Sequence, residues 1–268
     1  MAGSGILERS GYPPLALPTS AVTPGIVGGR SPYDGYQRGV GLEYGELRQA
    51  VEAHPLYQEA LRAAIGRTVM SADRLKNLFL VVTSFFDPLA SRNIIEFGCY
   101  KGGSVLFFAT LLKRLYPGAM VYGLDTFGGM PKSDKGLDLH GEGEFADTDL
   151  EAIRKAAKQL RLDNLILVKG LVQDTFPAGV PADMAFGLAH IDLDLYAPIK
   201  HVQDTVWDRM TPGGYVVYDD ATASTCIGAT QAVEELIADR RVHSEQVFPH
   251  FVFRAGLGAA QAQSSLHG

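Results

Sequence analysis

The chain has 268 residues, 46% of them hydrophobic and 20% charged, with a formal net charge of −6, which fits one large domain or one domain with an appended segment. No Lys/Arg run exceeds a dipeptide, so a nucleic-acid backbone is excluded as the expected partner. Cys99 and Cys226 are the two cysteines, too few for a disulfide framework; with no leader-like start and no apolar stretch of the roughly 18–20 residues a membrane span needs, a cytoplasmic protein is expected.

Residues 1–45 are rich in Gly, Pro, Ser and Tyr, with Pro13-Pro14 and Gly28-Gly29 as breakers. They read as an extended arm, whose Tyr12, Tyr33, Tyr36 and Tyr44 suggest packing on its own domain or on a second copy in a homo-oligomer. Residues 46–90 read as N-terminal helices. One has apolar positions from Leu47 to Ile65 and a break at Pro55; the next is capped by Ser71 and carries Leu75, Leu78, Phe79, Val82 and Phe86 at helical spacing. Residues 91–256 form the main domain. Short unalternating apolar runs at Ile94-Ile95, 120–124, 165–168, 184–191 and 215–218 alternate with helical stretches at 105–115, 149–160, 197–209 and 228–238. Asp147 or Thr148 is placed to cap the second of these helices. Runs of this kind are strands covered on both faces, and their alternation with helices predicts a doubly wound, mostly parallel α/β sheet. Residues 246–254 read as a late strand pair, and 257–268 as a tail. In such sheets ligands bind beyond the carboxyl ends of the strands, so the residues just after each run are the candidates.

The first candidate is Ile95-Glu96-Phe97-Gly98-Cys99-Tyr100-Lys101-Gly102-Gly103-Ser104. Its glycines allow close backbone approach at a helix start. A carboxylate ahead of the first glycine suits an ammonium group and repels a pyrophosphate, which points away from a dinucleotide. The second is Asp125-Thr126-Phe127, where an acid at a strand tip can accept from ribose hydroxyls or cap a helix. The third is Asp192-Leu193-Asp194-Leu195-Tyr196 with Tyr218-Asp219-Asp220 at the end of the following run. Four carboxylates at one sheet edge repel one another unless a cation joins them, and an oxygen-only donor set suits Mg²⁺ or a similar divalent ion. Taken singly, Asp194 and Asp220 could instead cap helices. A fourth, weaker segment is Gln173-Asp174-Thr175-Phe176-Pro177, after the third strand. A metal edge beside a nucleoside site suits methyl transfer to oxygen, in which the metal acidifies and orients the hydroxyl.

The order of Ile95-Glu96-x-Gly98-x-x-x-Gly102-Gly103, Asp125-Thr126-Phe127-x-Gly129-x-Pro131, Asp174-Thr175-Phe176-Pro177, Asp192-x-Asp194-Leu195-Tyr196, Gly213-Gly214-Tyr215-Val216 and Asp219-Asp220 resembles the macrocin O-methyltransferase family over roughly residues 65–254. The resemblance implies a class I (Rossmann-like) methyltransferase fold and an S-adenosylmethionine- and Mg²⁺-dependent O-methyltransferase of antibiotic biosynthesis, acting on a sugar or polyol hydroxyl. It implies that Glu96, Gly98, Ser104, Asp125 and Gln173 surround the cofactor, with Tyr100, Lys101, Gly102, Thr126, Phe127, Asp174 and Asp192 completing that surface. It also implies metal ligation by Asp192 or Asp194 with Asp219 and Asp220. The proton acceptor is expected among these carboxylates, or in His140 of a polar insertion that can act as a lid over the acceptor. Alternatives on the same fold type are a catechol or phenol O-methyltransferase, an NAD(P)-dependent oxidoreductase indifferent to chelators, and a non-catalytic binding protein. His190 reads as a satisfied strand residue, Trp207 and Phe85-Phe86 as core, and Cys226 as a residue able to line the acceptor pocket.

Overall fold

Residues 5–15, 46–240, 242 and 244–256 are described by the computed structural model. Tyr33, Tyr36, Tyr44 and the 257–268 tail lie outside the described residues, as does most of the arm. Within 5–15, Ile6–Arg9 forms a short helix, α1, with Leu7 buried, and Tyr12 Oη donates to Glu59 at 3.2 Å. That part of the arm is regular and docked rather than extended.

The break at Pro55 separates α2 (Glu46–Ala53) from α3 (Pro55–Ala64); His54 caps α3, and Pro55 occupies its first turn, where no amide donor is needed. Ser71 caps α4 (Ala72–Phe85) by accepting from the Arg74 amide at 3.3 Å. β1 (Ile94–Phe97), α5 (Gly103–Leu115), β2 (Val121–Asp125), α6 (Leu150–Gln159), β3 (Leu165–Lys169), α7 (Val172–Thr175), β4 (Phe186–Ile191), α8 (Tyr196–Val206), β5 (Met210–Tyr218), α9 (Ile227–Arg240), β6 (Ser244–Gln246) and β7 (Phe251–Arg254) follow. The cap of α6 is Asp149, whose side chain accepts from the Glu151 and Ala152 amides; Asp147 is instead drawn off by Lys101 and Tyr100. Phe86 is fully buried, but Phe85 is 38% exposed and is not core.

Among the described residues the strands form one sheet in the order β3-β2-β1-β4-β5-β7-β6. β1 through β5 are parallel, and β7 runs antiparallel to β5 and β6. Every residue of β1 and β4 is buried, because two apolar layers cover the sheet. One contains Tyr57, Phe79 and Phe107 from α3, α4 and α5; the other contains Phe176, Val202 and Ala232 from the segment after α7 and from α8 and α9. This explains why the strand sequences do not alternate. Strand order reverses between β1 and β4, so the loops after β1, β2, β4 and β5 open onto one crevice. Among the described residues, no helix is long and apolar enough to cross a membrane.

Candidate active site

A cavity opens at the carboxyl ends of the parallel strands. It is lined by Gly98 and Tyr100 after β1, Asp125, Thr126, Gly129, Met130, Pro131 and Phe145 after β2, Gly170 to Gln173 after β3, Asp192 to Asp194 after β4, and Asp219 and Asp220 after β5. Val69, Met70 and Arg74 close it from the start of α4. The motif loops thus converge, and Gly98 is where they are tightest: at φ +89°, a Cβ there would lie 1.7 Å from the Asp192 carbonyl oxygen. Gly102, at φ +82°, is the N-cap of α5, and a Cβ there would strike Ile153 at 2.5 Å. Its role is to let α6 pack, and it does not line the cavity.

Asp125 holds this end of the cavity together. Its Oδ2 accepts from the Cys99 and Tyr100 amides at 2.6 and 2.8 Å, and its Oδ1 from the Phe127 amide at 2.6 Å. The single hydroxyl proton of Thr126 has a better acceptor in Gly129 O, at 2.6 Å, than in Asp125 Oδ1, at 3.3 Å. One acceptor site on Oδ1 therefore remains for a ligand hydroxyl.

Several residues expected at the cofactor are placed elsewhere. Glu96 and Ser104 are buried and face each other, Ser104 Oγ donating to Glu96 Oε2 at 2.9 Å, while Glu96 Oε1 lies 2.7 Å from His190 Nδ1. Glu96 is satisfied from inside the sheet by its neighbour in the β1–β4 register, and it does not face the cavity. Lys101 Nζ pairs with Asp147 at 2.5 Å on the surface. Phe127 is buried beneath the loop and Asp174 is exposed on α7.

The four acidic residues expected at the metal divide into two groups. Asp219 is turned inward. Its Oδ1 lies 2.8 Å from His250 Nε2 and 3.3 Å from His190 Nε2, and Arg74 Nη1 grips its Oδ2. Gln246 Nε2 donates to Asn77 Oδ1 at 2.7 Å, which aims the Asn77 amide at His250 Nδ1, 3.1 Å away. His250 therefore carries its proton on Nε2 and donates it to Asp219. His190 meets an acceptor at each nitrogen. Burial acts against its charge, but hydrogen bonds to Asp219 and Glu96 outweigh burial and push its pKa up to about 9. Burial would raise Asp219 too, yet hydrogen bonds from His190 and His250 hold it well below the usual carboxylate range.

Asp192, Asp194 and Asp220 form the second group, each offering an oxygen within 4.8 Å of the others. Neither Asp194 nor Asp220 caps a helix. The N-cap position of α8 is Leu195, and the Tyr196 amide is satisfied at 2.8 Å by Asp138, a buried residue of the long loop after β2. Burial, and then the charges of the neighbouring aspartates, raise Asp192 well above its ordinary value and push Asp220 up to about 8. Asp194 is raised mainly by burial. Arg74 Nη1, 3.8 Å from Asp220 Oδ1, is the cation at their edge. Crowded half-buried carboxylates with oxygen-only donors and too little positive charge fit a divalent cation of the Mg²⁺ type.

His140, on the loop pinned by Asp138, points Nε2 at Asp194 Oδ1 from 3.9 Å, with Nδ1 held 2.7 Å from Glu144. Cys226 Sγ donates to the same Asp194 oxygen at 3.2 Å, and both cysteines are unpaired. Sequence reasoning missed Arg74, Asn77, Asp138 and His250. Each acts across a long chain separation with no local motif to mark it.

Residues 46–246 match the macrocin-O-methyltransferase (TylF) family. The chain is 26% identical over 173 residues to the 8-demethyl-8-(2,3-dimethoxy-alpha-L-rhamnosyl)-tetracenomycin-C 4'-O-methyltransferase of Streptomyces olivaceus, covering 61% of this chain and 66% of that enzyme. It is 26% identical over 214 residues to the mycinamicin III 3''-O-methyltransferase of Micromonospora griseorubida, covering 75% and 79%. Among solved structures, the O-methyltransferase NovP superposes with a TM-score of 0.62 at 21% identity over 70% of this chain and 82% of that one. The calicheamicin methyltransferase CalS11 superposes with 0.56 at 22% identity over 75% and 93%. At these identities the structural likeness establishes a shared fold.

Proposed function

Because the chain belongs to the macrocin-O-methyltransferase family, an O-methyltransferase family of class I fold, we propose that it moves the methyl group of S-adenosylmethionine to a sugar hydroxyl of a glycosylated natural product with the help of a divalent cation. The observation that carries this reading is the convergence of Asp192, Asp194 and Asp220 beside the cavity floored by Gly98, Tyr100 and Asp125. Asp125 Oδ1 accepts from a ribose hydroxyl, Gly98 lets the donor approach the backbone, and Tyr100, Thr126 and Gln173 line the rest of the donor side.

Asp192, Asp194 and Asp220 hold the cation, which when bound acidifies and orients the acceptor hydroxyl. The methyl–sulfur bond breaks as the methyl–oxygen bond forms, and the sulfur keeps the bonding pair. His140, oriented by Glu144 at Nδ1, turns Nε2 towards the acidic group and is the candidate to take the hydroxyl proton. Asp219 positions the Asp220 backbone through its inward bonds and is not itself a ligand. The sugar class of acceptor rests on the relatives, which by name act on a rhamnosyl derivative of tetracenomycin C and on mycinamicin III. Two buried unpaired thiols fit a reducing cytoplasm.

The test is methyl transfer to a panel of glycosides and catechols, followed by mass spectrometry, with EDTA and with Mg²⁺ restored. Glycoside methylation that stops with EDTA and returns with Mg²⁺ supports the reading. Turnover unaffected by chelation removes the cation from it, and turnover on catechols alone removes the sugar.

A further inference from the structure

The donor atoms of His140, Asp194 and Cys226 all lie within 4.8 Å of one another. Cys226 Sγ is 3.2 Å and His140 Nε2 is 3.9 Å from Asp194 Oδ1. A tetrahedral ion with bonds of about 2.0–2.3 Å to these atom types sets their mutual spacing at about 3.3–3.6 Å, so the side chains need to move by an ångström or less.

A second observation, outside the three donors, also points to a ligand. Glu144 Oε2 accepts from His140 Nδ1 at 2.7 Å, and Glu144 is itself fixed through the Gly141 amide, which donates to Oε1 at 2.6 Å. The ring is thereby locked with Nε2 facing the Asp194 carboxylate from 3.9 Å, a spacing into which a cation can enter between the two. A carboxylate holding the far nitrogen of an imidazole is how metal-bound histidines are oriented. The loop carrying His140 is also held, by Asp138 on the Tyr196 amide and by the Met130 amide on Glu144 O at 2.8 Å.

We propose that Cys226, His140 and Asp194 form a second cation site, sharing Asp194 with the oxygen-only group, that takes a borderline-soft divalent ion such as Zn²⁺ or Co²⁺ and stops methyl transfer by drawing on Asp194 and His140. One sulfur, one nitrogen and one oxygen select against Mg²⁺, which prefers oxygen donors alone. When the metal–sulfur bond forms, the Cys226 thiol proton leaves to solvent, and no atom changes oxidation state. Three protein donors leave a fourth position open to water. The binding site rests on the placement of these side chains, and its effect on turnover rests on the methyl-transfer reading.

The test is a Co²⁺ titration of the full chain in excess Mg²⁺, read by optical absorption. A thiolate-to-cobalt charge-transfer band is expected in the wild type. It disappears in Cys226→Ser, and Cys226→Ala answers the same question if the serine is not tolerated. Glu144→Gln keeps the band but weakens Co²⁺ binding by roughly 10–100-fold. Zn²⁺ inhibits the wild type, and in Cys226→Ser it no longer lowers turnover relative to that variant's own rate without Zn²⁺. A wild type without the band overturns the proposal, as does a band that survives in Cys226→Ser and so comes from Cys99. The cobalt band reads the site even in a preparation that methylates nothing.

Discussion

Asp219 and Asp220 are adjacent in the chain and meet opposite electrostatics. Asp219 is gripped by two imidazoles and an arginine and is held ionised. Asp220 faces Asp192 and Asp194 with little positive charge to share, and its pKa is pushed up to about 8. The first is neutralised by its partners, and the second is left among like charges. The difference arises because two consecutive residues just after β5, both at the cavity, meet different partners: Asp219 the imidazoles of His190 and His250, Asp220 the carboxylates of Asp192 and Asp194.

Four measurements break or sharpen that contrast. Asp219→Ala removes one of the two carboxylates that hold charged His190 and the nearer of the two beside Arg74, so it should lower unfolding stability by about 3–5 kcal/mol; Asp220→Asn in metal-free protein should be neutral or stabilising, because it relieves repulsion. Equal losses in the two variants, measured by denaturant unfolding, would erase the distinction. Kinetically the order reverses. Asp192→Asn and Asp220→Asn should lower kcat/KM by on the order of 10²–10³ while adenosylhomocysteine still binds in calorimetry. Asp125→Ala removes hydrogen bonds to a charged group and should weaken adenosylhomocysteine binding by about 1.5–3 kcal/mol, with Mg²⁺ binding retained.

The shallowest effect is a pH gradient. Asp220, with its folded pKa near 8, and His190, near 9, are both raised above their unfolded values. Between about pH 4 and 8 for the first, and about pH 6.5 and 9 for the second, the folded state holds more protons than the unfolded one, so stability falls as pH rises, by at most about 1.4 kcal/mol per pH unit for each extra proton. Thermal unfolding in EDTA should show Tm decreasing from about pH 6.5 to 9. Mg²⁺ should flatten the Asp220 part and leave the His190 part; a Tm that rises with pH in EDTA contradicts both assignments.

The sheet was legible because strands covered on both faces, such as β1 and β4, produce short unbroken apolar runs; β3 shows such a run too, yet as the edge strand it is not buried on both faces as expected. α7 was not, since four residues carry too little periodicity. In the site, the acidic motifs located the cavity edge, but local sequence does not encode which way a carboxylate faces. Glu96 illustrates this: a strand-end acid before a glycine looks ligand-facing until His190, 94 residues on, is placed beside it. Arg74 and His250 were illegible for the same reason, being 145 and 31 residues from the Asp219 they hold. Asp125 carried both signals, a strand tip and a glycine-rich partner loop, and it lies at the cavity wall.

The contact between Gly98 and the Asp192 carbonyl leaves no room for even a methyl group. The loop after β1 and the loop after β4 are consequently locked together at this point, and a side chain at position 98 would force them apart.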